Sequence, residues 1–443
     1  MSGTVRETSA PETSDALRTE VPVLRQRNFR RLFLADCLSQ LGNQVTLVAL
    51  PLVAILVLDA SVLQVGLLTA ATTAPFAVFG LPAGAWVDRL PLRPLLVTTD
   101  VIRGALLLSL PVAYWTAHLT LAHLFAVALG TGVATVFFDI AYQSFLPALL
   151  PRRQLPAGNT ALEMVHSTMQ LAGPGVGGWL VAAASAPAAL LVDAVSFLGS
   201  AIFLGRIPST RRPPAQHRQR LRTEIRVGLQ FVLTHPLLRL IVLRSVLANL
   251  AFAAVVAVQA LYLVRVSGLS PFQFGLALAA GGLGGLLGAA LFPRLETRLG
   301  SGRILVLAPV VCSPAAFLIL VAAPDWRVLL VALGLLIEAV GVVLYNIAQV
   351  SFRQAVTPSG LLGRMNASVR SLVWGAMPVG GLLGGLLGSA FGVRKALLVA
   401  LSAQLLSTVP LLVSSRTRNL RDLPAGPEPE HPDGQLAEPD GQP

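Results

Sequence analysis

Three stretches of this chain return 207 residues later: SFLPALLP (144–151) as SFRQAVTP (351–358), GPGVGG (173–178) as GGLLGG (380–385), and ALLV (189–192) unchanged at 396–399. The offset holds throughout 144–199 and 351–406, pairing Ser144 with Ser351, Phe145 with Phe352, Pro151 with Pro358, Asn159 with Asn366 and Gly173 with Gly380. A period of about 200 residues is far longer than the unit of a solenoid or propeller, so it marks two duplicated halves running in the same chain direction.

Composition says what those halves are made of. Of 443 residues, 54% are hydrophobic and 12% charged, with mean hydropathy +0.71. Soluble domains carry about 25% charge, so this chain is built for lipid. The net charge of +12 forms no compact basic patch; the basic residues lie between apolar runs, which argues against nucleic acid. Cys37 and Cys312 both sit inside apolar runs, which argues against a disulfide framework.

A membrane helix needs about 20 mostly apolar residues. Twelve runs qualify: 31–58, 62–87, 94–116, 119–149, 158–184 and 187–206, then 236–264, 271–292, 303–323, 326–351, 365–391 and 393–415. The expected organisation is a disordered tail at 1–27, a six-helix bundle at 28–206, a basic linker at 207–235, a second bundle at 236–415 and a disordered tail at 416–443. The polar first residues lack the short apolar core of a cleaved signal. With both tails inside, 27 basic residues fall in cytoplasmic segments, against Arg265, Arg327, Arg394 and Lys395 outside. The positive-inside bias then orients the chain. The linker holds Arg211, Arg212, Arg218, Arg220, Arg222 and Arg226, and its amphipathic stretch from Leu221 to Leu233 reads as a helix lying on the anionic inner leaflet.

Between the second and third runs stands GAWVDRLPLRP, with Gly84, Asp88, Arg89 and Arg93; a second copy, GAALFPRLETRLGSGR, follows the eighth run. Gly84 is expected to let two helices approach closely, while the charges lie at the membrane surface, placed to pair in one conformational state and part in another. The stretch resembles the signature loop Gly-x-x-x-Asp-Arg-x-Gly-Arg-Arg/Lys of the major facilitator superfamily. Pro91 and Leu92 depart from that pattern, and Phe292 replaces the acid in the second copy. FFDIAYQSFLPALLP (137–151), GPGVGGWL (173–180), DAVSFLGS (193–200), THPLLR (234–239) and the stretch 351–381 resemble the branch holding the enterobactin exporter and macrolide or multidrug efflux proteins.

The resemblance implies an all-α membrane protein with twelve transmembrane helices in two parallel-repeat six-helix bundles. It implies a proton-coupled antiporter in a bacterial inner membrane that exports small hydrophobic molecules such as a drug, a macrolide-like antibiotic or a siderophore. An importer or uniporter, or a non-transporting sensor, is the alternative. Its partners would be the substrate, protons and the bilayer, acting as a monomer. No cofactor, metal cluster, phosphate-binding loop or nucleophile elbow is expected.

Charges inside spans cost roughly 2.5–3.5 kcal/mol each and mark pathways or relays. Asp36 shares a helix face with Gln40, Asn43 and Gln44, a polar stripe suited to a central cavity. Glu338 lies mid-span with Asn346 further along. Either acid is a candidate for proton coupling, with a helix-to-helix hydrogen bond the competing role for Glu338. Asp100, Arg103 and Asp139 lie in the cytoplasmic part of the third and fourth spans, and by family analogy Arg93 or Arg103 would pair with Asp139 when the inner gate closes. Glu163, His166 and Gln170 form a second polar face, and Arg244, Asn249, Gln259 and Tyr262 are cavity candidates on the seventh span. Asp193 reads as structural.

Overall fold

One hydrogen-bond pattern starts equivalent helices in the two halves. In the computed structural model, which describes residues 22–87, 89–208, 221–358 and 361–414, Ser61 N donates to Gln64 Oε1 at 2.8 Å and Gln64 N to Ser61 Oγ at 3.4 Å. Ser270 and Gln273 repeat this reciprocal cap at 2.9 and 3.2 Å. Each cap satisfies two N–H groups that a helix start leaves open. The expected tails to residue 21 and from 415, Arg211, Arg212, Arg218, Arg220 and Asp88 lie outside the described residues.

The helices are α1 (Arg27–Leu52), α2 (Val62–Val87), α3 (Leu92–Trp115), α4 (Leu121–Leu149), α5 (Leu155–Ala183) and α6 (Ala186–Gly205), then α7 (Leu221–Thr234). The second half has α8 (Pro236–Ala260), α9 (Pro271–Leu299), α10 (Ser301–Cys312), α11 (Arg327–Val356), α12 (Leu362–Phe391), α13 (Val393–Leu406) and α14 (Val409–Val413). The duplication shows in detail: α1 and its counterpart α8 both end in a π-helical turn, Val53–Val57 and Leu261–Val266. α10 runs on into a 3-10 stretch, Ser313–Val321, beyond Pro309.

Among the described residues eleven helices are long and apolar enough to cross a membrane. α5 is as long as α4 but is not among them, because Asn159, Glu163, His166, Ser167 and Gln170 dilute its apolar residues. It packs against α1 and α9 as the twelfth member of the array, so its polarity serves an inner surface rather than a lipid-facing one.

The two ends of the molecule differ. We call the end holding the α2–α3 connection and the α7 linker the basic end. At the opposite end one apolar cluster runs through both halves, joining Val48, Val53 and Leu68 to Val258, Leu261 and Phe274. At the basic end the cores are separate: Phe29, Leu32, Phe138 and Phe145 in the first half, Ile241, Phe292, Leu344 and Phe352 in the second. The halves are fused at one end and parted at the other.

Glycines make the fusion possible. A Cβ on Gly66 of α2 would lie 2.5 Å from Gly385 Cα of α12, and one on Gly178 of α5 would lie 2.5 Å from the Pro271 carbonyl oxygen of α9. Small residues allow membrane helices this backbone contact. Gly84 does not fit the same expectation: a Cβ there would meet nothing within 4 Å. Its counterpart Gly288 does sit tight, 2.8 Å from the Val340 carbonyl oxygen by the same measure.

The linker helix α7 also departs from the sequence reading. Its apolar face docks on the second half rather than on lipid alone, with Val232 buried among Leu238, Val242, Met365 and Val369 and Gly228 against the backbone of Arg364.

Candidate functional site

The parting of the halves leaves a cavity of about 970 Å³ at the basic end, walled by α1, α4 and α5 with Leu286 of α9 across from them. That is the upper range for a small-molecule site. Its polar lining is concentrated in the first half: Asp36 and Gln40 from α1, Tyr142 and Gln143 from α4, and Asn159, Glu163 and His166 from α5. Met164, Leu146 and Leu162 supply apolar wall between them.

Helical spacing explains the convergence. Asp36 and Gln40 stand one turn apart on α1, and Glu163, His166 and Gln170 follow one face of α5. On α5 the side chains form a ladder, with Glu163 Oε1 3.8 Å from His166 Nδ1 and Gln170 Nε2 3.2 Å from His166 Nε2. Asp36 is only 5% exposed, yet it borders the cavity with the Tyr142 hydroxyl as its side-chain neighbour.

Several expected cavity residues lie elsewhere. Gln44 turns from the cavity to pack against Gly173 of α5, while Asn43 is exposed. Tyr262 is 3% exposed and donates to the Leu320 carbonyl at 2.7 Å, inside the second half. Asn249 is tied to the Ser245 carbonyl at 2.9 Å, Gln259 is half-buried and Asn346 is exposed.

Arg244 is buried rather than presented to the cavity, its guanidinium 3.7 Å above the Tyr345 ring, and Tyr345 in turn shares a 3.0 Å hydrogen bond with Ser245. Glu338 accepts a hydrogen bond from Gln404 of α13, so it joins two helices of the second half and does not line the cavity. Asp193 likewise holds α6 to α1 by accepting from Thr46, and it also accepts from Ser196 of its own helix at 3.2 Å.

The charges nearer the basic end are arranged for a separated state. Arg103 pairs with Asp100 on its own helix, 1% and 0% exposed, and its guanidinium lies between the Phe138 and Phe197 rings at 4.1 and 4.2 Å. Arg93 donates to the Gly205 carbonyl at the end of α6, and Arg89 is exposed. Neither arginine pairs with Asp139 as family analogy suggested.

Sequence reasoning passed over two residues that the fold makes prominent, and counted a third, Arg265, only as an outer basic residue. Tyr142 and Gln143 complete the cavity wall. Arg265, at the end of the π turn after α8, bonds across to the first half at the closed end: to Asp59 Oδ1 at 2.6 Å, the Ile55 carbonyl at 2.7 Å and the Ala60 carbonyl at 3.1 Å. Asp59 sits at φ +47°, the left-handed turn that turns those carbonyls to one side. Its i-to-loop partnership leaves no periodic signal in a sequence.

Comparison with known proteins agrees with this architecture. A family model described as transmembrane secretion effector matches residues 19–439. The multidrug efflux pump Tap of Mycolicibacterium fortuitum is 27% identical over 409 residues, covering 87% of this chain and 95% of that protein. The pump of the same name from Mycobacterium tuberculosis strain H37Rv is 27% identical over 420 residues, covering 90% and 95%. Among solved structures, nucleoside transporter NupG superposes with a TM-score of 0.69 at 13% identity over 89% of this chain and 100% of that one. A bacterial homologue of ferroportin in an inward-facing state gives 0.68 at 19% identity over 87% and 97%. At those identities the structures speak for the fold alone. Twelve helices in two parallel six-helix halves, parted around a cavity, and a family match over nearly the whole length lead to one conclusion: this chain belongs to the transmembrane secretion effector family of major facilitator transporters.

Proposed function

We propose that this transporter exports small, largely apolar molecules in exchange for protons, by rocking its two halves about the cavity. The observation that carries the proposal is the cavity itself: about 970 Å³, open at the basic end, with Asp36 and Glu163 on an otherwise mixed apolar and polar wall. The basic end faces the cytoplasm in this reading, supported by the 27-to-4 distribution of basic residues, with both tails inside. The efflux activity in the names of the Tap relatives supports the outward direction.

In the mechanism, an apolar molecule enters from the cytoplasmic side and displaces water from Met164, Leu146 and Leu286. An acidic wall favours substrates that carry a basic nitrogen. Its arrival and a proton compete for the same carboxylates, Asp36 first, because a half-enclosed wall accommodates one positive charge better than two. Reorientation exposes the site to the outside, where a proton replaces the substrate, and the protonated, neutral wall returns. Asp88, Arg89, Arg93, Asp100, Arg103 and Asp139 form the inner gate in this reading, with Gly84 beside it.

Export by inverted vesicles with an imposed proton gradient tests the proposal, using a fluorescent lipophilic cation as probe. Gradient-dependent uptake into the vesicles is expected, abolished by an uncoupler. Equal movement with and without the gradient would remove the coupling.

A further inference from the structure

Arg370 on α12 is a cation of the second half that reaches the first half at the open end. Its Nη1 donates to Gln143 Oε1 of α4 at 3.5 Å, a long and weak contact, and its guanidinium lies 5.7 Å from the Trp374 ring. Gln143 stands four residues beyond Asp139, so the two side chains lie one above the other on the same α4 face, one helical turn of about 5.4 Å apart. The charged groups that reach Asp139 are Arg103 from α3, Arg370 from α12 and His166 from α5. Arg103 is already committed to Asp100 and clasped by two rings, and His166 is held in the Glu163–Gln170 ladder. Arg370 is exposed and carries no ion pair among the described residues, so its charge is the one of the three not already paired.

The closed end shows what such a residue does. There Arg265, also from the second half, crosses to acceptors of the first half and holds the two together. The duplication adds a second argument. Arg370 is the counterpart of Glu163 and Asp139 of Asn346, so the pair related to Arg370–Asp139 by the pseudo-two-fold is Glu163–Asn346, which has no opposite charges. The symmetry-related position therefore offers no cation–acid pair.

We infer that Arg370 is the positioning residue that closes the basic end, moving one turn along α4 from Gln143 onto Asp139. Latching thus alternates: Arg265 holds the opposite end while Arg370 is loose, and Arg370 pairs with Asp139 once Arg265 lets go. The inference rests on the alternating-access reading above, but its test needs neither substrate nor gradient, so the two fail separately. Spin labels go on cysteines replacing the exposed Arg153 and Arg298, one on each half at the basic end, with Cys37 and Cys312 changed to Ser. Pulsed dipolar spectroscopy then reads the fraction of short, closed-end distances. Arg370→Gln and Asp139→Asn should each lower that fraction at least about threefold, as expected when a state loses a stabilising pair. Arg370→Lys, which keeps the charge, should retain most of it, and the swap D139R/R370D should restore it relative to D139R alone. A wild-type fraction in Arg370→Gln, or a double variant no more closed than D139R, would overturn the assignment.

Discussion

The two halves of this molecule share a scaffold and differ in charge. In the first half Arg103 of α3 lies on the Phe138 ring and is neutralised by Asp100. In the second, Arg244 of α8 lies on Tyr345, the residue 207 positions after Phe138, with no acid bonded to it among the described residues. The first half puts acids on the cavity wall, Asp36 and Glu163, while the second half contributes Leu286 there and cations, Arg265 and Arg370, at its two rims. The duplicated scaffold is thus shared, while the acids of the cavity wall belong to one half and the cations at its rims to the other.

The sharpest way to break that comparison is to remove each buried arginine. Arg103→Leu strands the Asp100 carboxylate in the first-half core, and losing one partner of a buried pair costs about 3–5 kcal/mol. Arg244→Leu strands no acid and should cost about 1 kcal/mol, mostly lost stacking. Thermal melting in detergent decides it, and equal losses would mean that the halves are charged alike.

Next in size come the glycines. Gly178→Leu drives a side chain into the Pro271 carbonyl and should cost about 1–3 kcal/mol of overpacking, with export reduced in proportion to the lost closure at that end. Gly84→Ala at the open end meets empty space and should be neutral or stabilising by up to about 1 kcal/mol, since alanine suits a helix interior better.

A smaller effect sharpens the latch. Asp59 is 94% exposed at its side chain, so its ion pair with Arg265 is worth little. Hydrogen exchange across residues 55–61 should rise about fivefold in Arg265→Ala, which also loses two carbonyl contacts, and less than about twofold in Asp59→Ala. The reverse order would place the latch on the carboxylate.

Much of this was legible in the chain. The repeat and the twelve apolar runs place most spans within about five residues of their helices, because a 20-residue apolar run has one stable solution in lipid; the eighth stops at 292, whereas α9 runs on to Leu299. The polar face of α5 was legible too, as Glu163, His166 and Gln170 at helical spacing. Which acid faces the cavity was not. Glu338 and Asp36 are both single acids in apolar helices, and only the rotation of α11 toward Gln404 of α13 separates them. Arg265 was read as a loop residue, because its acceptors are backbone carbonyls some 200 positions away. Gly84 was read from its motif as a contact glycine, whereas the contact it implies is absent with the basic end open.

The central claim is that the first-half wall, and Asp36 in particular, carries the coupling while Glu338 is a structural bond. Gradient-driven export measured side by side for Asp36→Asn and Glu338→Gln, at matched expression in inverted vesicles, tests it most directly. The account predicts a gradient-dependent component lowered at least about tenfold in Asp36→Asn and retained to within about twofold in Glu338→Gln, the sizes expected for a lost proton-transfer group and a replaced hydrogen bond. Full coupling in Asp36→Asn together with its loss in Glu338→Gln would contradict it.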